Sequence, residues 1–142
     1  MFWGCSVTWQ RGWLQIFIPV EPLGAMMRIW KYDTIYEVPS GMIEKGETPP
    51  EAAERELEEE IGYTAKRLTH IFDFYTDASL ETQTTHCFVA EGLEKTKQRL
   101  DSDEVIKPIK MPVSRAITLI KRNRIKEVGS LGALLYCLYI RR

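Results

Sequence analysis

Four glutamates fall within five residues, at Glu56 and Glu58–Glu60, in a chain whose Lys+Arg 19 and Asp+Glu 20 leave a formal charge of -1. Carboxylates at that density either share a solvated face or serve as oxygen ligands for a hard divalent cation. On a helix each residue advances about 100°. With Glu56 as zero, Glu60 falls near ~40° and Glu59 near ~300°, so these carboxylates share an arc of roughly 100° while Glu58 points elsewhere. Ala53, Leu57 and Ile61 make an apolar stripe beside that arc, which sets the stripe on a sheet and turns the acids to a rim or cleft. Two unit charges ~4 Å apart repel by roughly 4 kcal/mol at an effective dielectric near 20. Water relieves that repulsion on an open face, and Mg²⁺ or Mn²⁺ relieves it in a site.

The helix that carries the acids has its limits written locally. Thr48 is an N-cap, Pro49 suits the first helical position, Glu51 completes a capping box, and Gly62 stops the run after Ile61. Read from its first glycine, GMIEKGETPPEAAERELEEEIGY places Gly41, Glu47, Arg55, Glu56, Glu59, Glu60 and Gly62 at fixed intervals. This resembles the signature of the Nudix hydrolases, all seven of whose fixed positions match; chance would produce that about once in 10⁸ windows. Tyr63 stands where the family more often has an aliphatic residue.

The resemblance implies a loop, helix and loop in which Glu47 and Arg55 orient the carboxylates. It implies Glu56 and Glu60 as principal ligands of Mg²⁺ or Mn²⁺, Glu59 as a further ligand with a catalytic part, and the Ser40 carbonyl as a backbone ligand. Gly41 fits such a role, since backbone approaching a metal or phosphate leaves little room for a Cβ. A surface pairing of Arg55 with Glu51 or Glu59 is the structural alternative.

Family members hydrolyse a nucleoside diphosphate linked to another group, and the same reaction is expected here. In the branch acting on ADP-ribose and other nucleotide sugars, a glutamate on a later loop often serves as general base. The segment LDSDEVIKPIKMPVSRAI, from Leu100, resembles that loop and the strand and helix after it. Glu104 is its best match, with Asp103 and Asp101 as alternates. WLQIFIPV (Trp13–Val20), MMRIWKY and YEVPSG also resemble this branch, whereas Tyr75-Thr76-Asp77-Ala78-Ser79 stands where the branch commonly has Tyr-Pro-Ser-Pro-Gly. ADP-ribose is the first substrate expected; nucleoside triphosphates or dinucleoside polyphosphates are the alternative. Arg28, Trp30 and Glu37 are the candidate substrate contacts, with Lys31 a second phosphate candidate. Trp9, Trp13 and Trp30 can stack on adenine or fill a core.

These residues need a frame. Val7–Trp9, Trp13–Val20, Ala25–Tyr32, Ile35–Val38, Arg67–Thr76 and Thr84–Glu91 have strand composition between turn signals. Val105–Lys110 reads as an edge strand interrupted by Pro108. Helices are predicted over Pro49–Ile61, Val113–Arg122 and Ser130–Ile140. Without regular βαβ alternation, the pattern favours a mixed sheet flanked by helices. With the resemblance, that becomes an α/β/α sandwich of the Nudix type in one domain over 1–142. Residues 1–12 form a divergent N-terminal strand region and 41–63 the motif.

The near-zero charge provides no basic field for nucleic acid or an acidic membrane. The basic run Lys121, Arg122, Arg124 and Lys126 reads as a solvated helix end. Cys5, Cys87 and Cys137 lack metal-site spacing and read as thiols of a reducing, cytoplasmic compartment. No apolar run approaches the ~18 residues of a membrane span, and the N-terminus has no signal-peptide pattern. The aromatic N-terminus favours a homodimer. His70 and His86 sit in strand patterns and read as structural.

Overall fold

The computed structural model describes residues 13–17, 19–20, 24–29, 36–79, 83–102 and 104–140, the segments before residue 36 by their backbone pairing alone. In chain order they form β1 (Trp13–Phe17), β2 (Pro19–Val20), β3 (Gly24–Ile29), β4 (Tyr36–Glu37), β5 (Ser40–Met42), α1 (Pro49–Ile61), β6 (Tyr63–Tyr75), β7 (Thr84–Lys95), β8 (Ile109–Pro112), α2 (Val113–Lys121) and α3 (Val128–Tyr139). One sheet runs β5-β1-β7-β6. Its β1–β7 pairing is parallel, and the β1–β5 and β6–β7 pairings are antiparallel. In the other sheet β3 pairs antiparallel with β2, β4 and β8. The expected mixed sheet within an α/β/α sandwich is therefore present.

The sandwich follows from the alternation along β7, where residues 87–90 are all buried. Cys87 and Val89 join Val38, Met111, Ala116, Ile125, Ala133 and Leu134 on the face covered by α2 and α3. Phe88 and Ala90 join Ala52, Ala53, Leu57 and Ile61 on the face covered by α1. A strand enclosed on both faces reads as a continuous apolar run because successive side chains point to opposite sides. Leu57 is fully enclosed; burying such a side chain contributes about 1.5–3 kcal/mol. The stripe inferred for α1 is thus its sheet-facing side.

The observed α1 has the predicted bounds. The Glu51 carboxylate accepts from the Thr48 N–H at 2.8 Å and the Thr48 hydroxyl at 2.7 Å. Gly62 ends the helix at φ 71°, in the left-handed region that suits glycine. Elsewhere the boundaries moved. The strand expected over Val105–Lys110 forms only from Ile109, after Pro108, which has no N–H to donate. Among the described residues it pairs with β3 alone, the expected edge position.

The third helix starts at Val128 rather than Ser130, because the Glu127 carboxylate accepts from the N–H groups of Gly129 at 2.7 Å and Ser130 at 2.6 Å. Ser130 is buried, and its hydroxyl accepts from the Val38 N–H at 3.0 Å. Strand β6 begins earlier than predicted, at Tyr63, β7 runs on past Glu91 to Lys95, and β5 was not anticipated. The Val7–Trp9 strand lies outside the described residues. Cys87 and Cys137 are free thiols; burial pushes the Cys87 thiol well up, keeping it protonated. Among the described residues no helix is long and apolar enough to cross a membrane.

Candidate active site

Two adjacent residues of β5 lie against two carboxylates of α1. The Ser40 N–H donates to the Glu60 carboxylate at 3.0 Å. Gly41 approaches Glu56 so closely that a Cβ on it would fall on the carboxyl group. Glu56 and Glu60 are one helical turn apart, so one short strand fixes both. Glu60 is only 1% exposed. A carboxylate held there by a backbone N–H is aimed by the fold rather than splayed into solvent.

Arg55 organises the remaining acids. Its Nε and Nη2 donate to the two Glu47 oxygens at 2.7 and 3.0 Å, a planar fork. Nη1 donates to Glu56 at 2.8 Å and Glu59 at 3.2 Å, and Nη2 also reaches the Met42 carbonyl at 2.9 Å. Glu47 is held from its other side by the Glu44 N–H at 2.9 Å. Of the two alternative pairings of Arg55, the one with Glu59 forms, within this same network, and the one with Glu51 does not, since Glu51 is engaged in capping. Glu58 does point elsewhere, pairing with Arg99 at 2.8 Å.

The electrostatics of the acids differ with their surroundings. The bond from Arg55 holds the Glu47 carboxyl below its ordinary range, and Glu47 in turn pushes the guanidinium further up. Glu56 behaves in the opposite way. Burial raises its carboxyl, the Arg55 bond pulls it back, and the charges of Glu59 and Glu104 raise it again. One guanidinium among these acids leaves a net negative site whose most enclosed members benefit from a cation. The donor set is all oxygen, as hard dications require, so these residues fit the expected Mg²⁺ or Mn²⁺.

The influence of Glu104 on Glu56 brings the expected base into the same electrostatic neighbourhood. Its loop is docked on the end of α1. The Gln98 side-chain amide donates to the Glu60 carbonyl at 2.6 Å and the Ile106 carbonyl at 3.2 Å. The Arg99 N–H donates to the Glu59 carbonyl at 2.9 Å, and the Thr96 N–H to that of Gly62 at 2.8 Å. Gly62 leaves room for this, because a Cβ there would meet the Gln98 nitrogen at 2.8 Å. Within the loop, the Glu104 N–H donates to the Asp101 carbonyl at 3.1 Å, and the Asp101 N–H approaches the Glu104 carboxylate at 3.3 Å. The contribution of Gln98 and Arg99 was missed from sequence, where Lys97-Gln98-Arg99 carries no spacing signal.

The substrate candidates are less concentrated. Arg28 lies opposite Glu37 in the β3–β4 ladder. Trp30, Lys31, Trp9 and Asp103 lie outside the described residues, as do the side chains of Arg28 and Trp13. In the segment that replaces the proline-containing loop, Asp77 accepts from the Ser79 N–H at 3.0 Å and its hydroxyl at 2.6 Å, a local turn made without proline.

A family model described as the NUDIX domain matches residues 24–128. Over 105 residues the chain is 40% identical to an ADP-ribose pyrophosphatase of Bacillus subtilis, covering 72% of this chain and 57% of the relative. It is 36% identical over the same length to a methanol dehydrogenase activator of Bacillus methanolicus, again covering 72% and 57%. The chain thus spans just over half the length of these curated relatives. A crystal structure of an ADP compounds hydrolase superposes with a TM-score of 0.79 at 25% identity, covering 93% of this chain and 73% of that one.

Proposed function

The chain belongs to the Nudix family, and from that membership we propose that it hydrolyses the pyrophosphate bond of a nucleoside diphosphate sugar, ADP-ribose first. The products are a nucleoside monophosphate and a sugar phosphate. The observation that carries this reading is the complete motif folded as one unit, with Arg55 bonded to Glu47, Glu56 and Glu59 while β5 lies against Glu56 and Glu60. The similarity to a B. subtilis ADP-ribose pyrophosphatase supports the substrate class.

In this mechanism Glu56, Glu59 and Glu60, with the Ser40 carbonyl, would hold Mg²⁺ or Mn²⁺, which when bound would neutralise charge on the diphosphate oxygens and act as a Lewis acid on the phosphoryl group. Glu47 and Arg55 are positioning residues, because their bonds fix the rotamers of Glu56 and Glu59. Glu104, on the loop tethered by Gln98, accepts the proton of the attacking water as its oxygen bonds to phosphorus and the bridging P–O bond breaks. Arg28, Trp30 and Glu37 are the proposed substrate contacts. A homodimer is proposed on the N-terminal aromatics.

A panel of nucleotide sugars, nucleoside triphosphates and dinucleoside polyphosphates, assayed with Mg²⁺ and with Mn²⁺, tests the reading. ADP-ribose is expected to give AMP and ribose 5-phosphate with the highest kcat/KM. Activity confined to triphosphates or dinucleoside polyphosphates would replace the substrate class. Silence across the panel, with nucleotide binding retained, would instead make the chain a non-catalytic nucleotide sensor.

A further inference from the structure

The two histidines expected to be structural converge on one aspartate. His70 and Asp73 lie three residues apart on β6, a spacing that strict alternation would send to opposite faces. A register shift between His70 and Phe72 inserts one residue and returns both to the same face. Asp73 is the cross-strand partner of His86 on β7, and His70 that of Phe88. The His70 ring meets Phe88 edge-on at 5.5 Å, so the group begins where the apolar cluster under α1 ends. Asp73 Oδ1 lies 2.6 Å from His70 Nε2 and 2.8 Å from His86 Nδ1. One ligand atom from each residue lies within 4.8 Å of the other two.

Side-chain exposure is 46% for His70, 46% for Asp73 and 25% for His86, so the group opens to solvent. Around a tetrahedral ion with bonds of about 2.0–2.2 Å, neighbouring ligand atoms stand ~3.3–3.6 Å apart. The two nitrogens at 2.6 and 2.8 Å from Asp73 Oδ1 must each draw back from it by roughly 0.5–1 Å, a movement within reach of exposed side chains.

We propose that His70, Asp73 and His86 form a second cation site, one for a borderline-soft divalent transition metal of the zinc type. Its donor set of two nitrogens and one oxygen separates it from the all-oxygen acids of α1, because imidazole favours Zn²⁺ and its neighbours over Mg²⁺. Three protein ligands leave at least one position open to solvent. The ion ties β6 to β7 beside the connection at 76–83 and stabilises the folded chain by mass action.

The test uses the full chain, stripped with chelator and held in millimolar Mg²⁺ so that the acids of α1 are occupied. Co²⁺ titration is expected to produce a saturable d–d absorption at one equivalent, reversed by Zn²⁺, and Zn²⁺ is expected to raise Tm. His86→Ala and Asp73→Asn are expected to abolish both responses, and Glu60→Gln to leave both intact. His70→Gln, at an exposed position, provides a variant whose folding is checked by its metal-free Tm. An absent Co²⁺ signal in the unaltered chain, or a signal unchanged in His70→Gln and Asp73→Asn, would overturn the assignment.

Discussion

Gly41 and Glu56 are in van der Waals opposition: the space a Cβ would need at Gly41 is filled by the Glu56 carboxyl group. The obstacle is the far end of a side chain rather than backbone. Gly41→Ala is therefore expected to displace that carboxylate and leave the fold standing. Misplacing a reacting or ligating group by about 1 Å costs on the order of 100-fold in rate. The expected result is a loss of that size in kcat/KM, with Tm shifted little. A large fall in Tm with activity per folded molecule preserved would make Gly41 a packing residue instead.

Arg55 spends its planar fork on Glu47 and extends a third nitrogen toward Glu56 and Glu59. Lysine keeps the charge and cannot reproduce this geometry. Arg55→Lys is expected to weaken Mn²⁺ binding by about 10–100-fold, the usual effect of removing a group that orients metal ligands. A double-mutant cycle with Glu47→Gln checks the route. If the two residues act through one contact, the second substitution adds little to the first; additive losses would mean that they act separately.

The pH dependence of stability follows from the same pair. Arg55 depresses the Glu47 carboxyl from its ordinary value of 4.5 in the folded chain. A group depressed on folding contributes stability above its unfolded value, and that contribution is lost as pH falls through the folded one. The stability difference between the unaltered chain and Glu47→Gln, measured by denaturant unfolding, should be full near neutrality and shrink below about pH 4.5. A difference that grew on acidification would show that Glu47 opposes folding.

What could be read from the sequence was local. Helix α1 announced itself through Thr48, Pro49, Glu51 and Gly62, each acting within one turn, and its acids through a spacing that repeats on one face. What could not be read depends on partners far along the chain. The Gln98 bond to the Glu60 carbonyl joins residues 38 apart, and nothing at either position hints at the other. The irregularity between His70 and Phe72 exists only relative to β7, so alternation alone kept His70 and Asp73 apart. Strand β5 hid in Pro39-Ser40-Gly41, which has the composition of a turn. The Glu127 cap went unseen because the preferred capping types are Ser, Thr, Asp and Asn.

The Glu104 carboxylate is held weakly, by the Asp101 N–H at 3.3 Å, and its charge raises the Glu56 carboxyl. Glu104→Gln removes the basic oxygen at nearly constant volume. It should lower kcat by about 10²–10⁴-fold, the range for a general base, while Mn²⁺ affinity holds. Gln98→Ala, which releases the loop from α1, should lower kcat by less. If Glu104→Gln leaves the rate unchanged, the proton goes to another group.

Glu60 separates the metal role from a structural one. Its carboxylate is buried and accepts the Ser40 N–H at 3.0 Å, a bond that the glutamine carbonyl oxygen can also accept. Glu60→Gln thus keeps volume and hydrogen bond and deletes only charge. Removing one of several neighbouring acids relieves repulsion, so Tm in the absence of metal should hold or rise. Mn²⁺ affinity should fall by about tenfold or more, as for loss of a ligand-shell group, and turnover with it. The opposite pattern, a lowered Tm with Mn²⁺ binding intact, would mean that this carboxylate serves to seat β5 on α1, and the cation would have to be held without it, by Glu56, Glu59 and the Ser40 carbonyl.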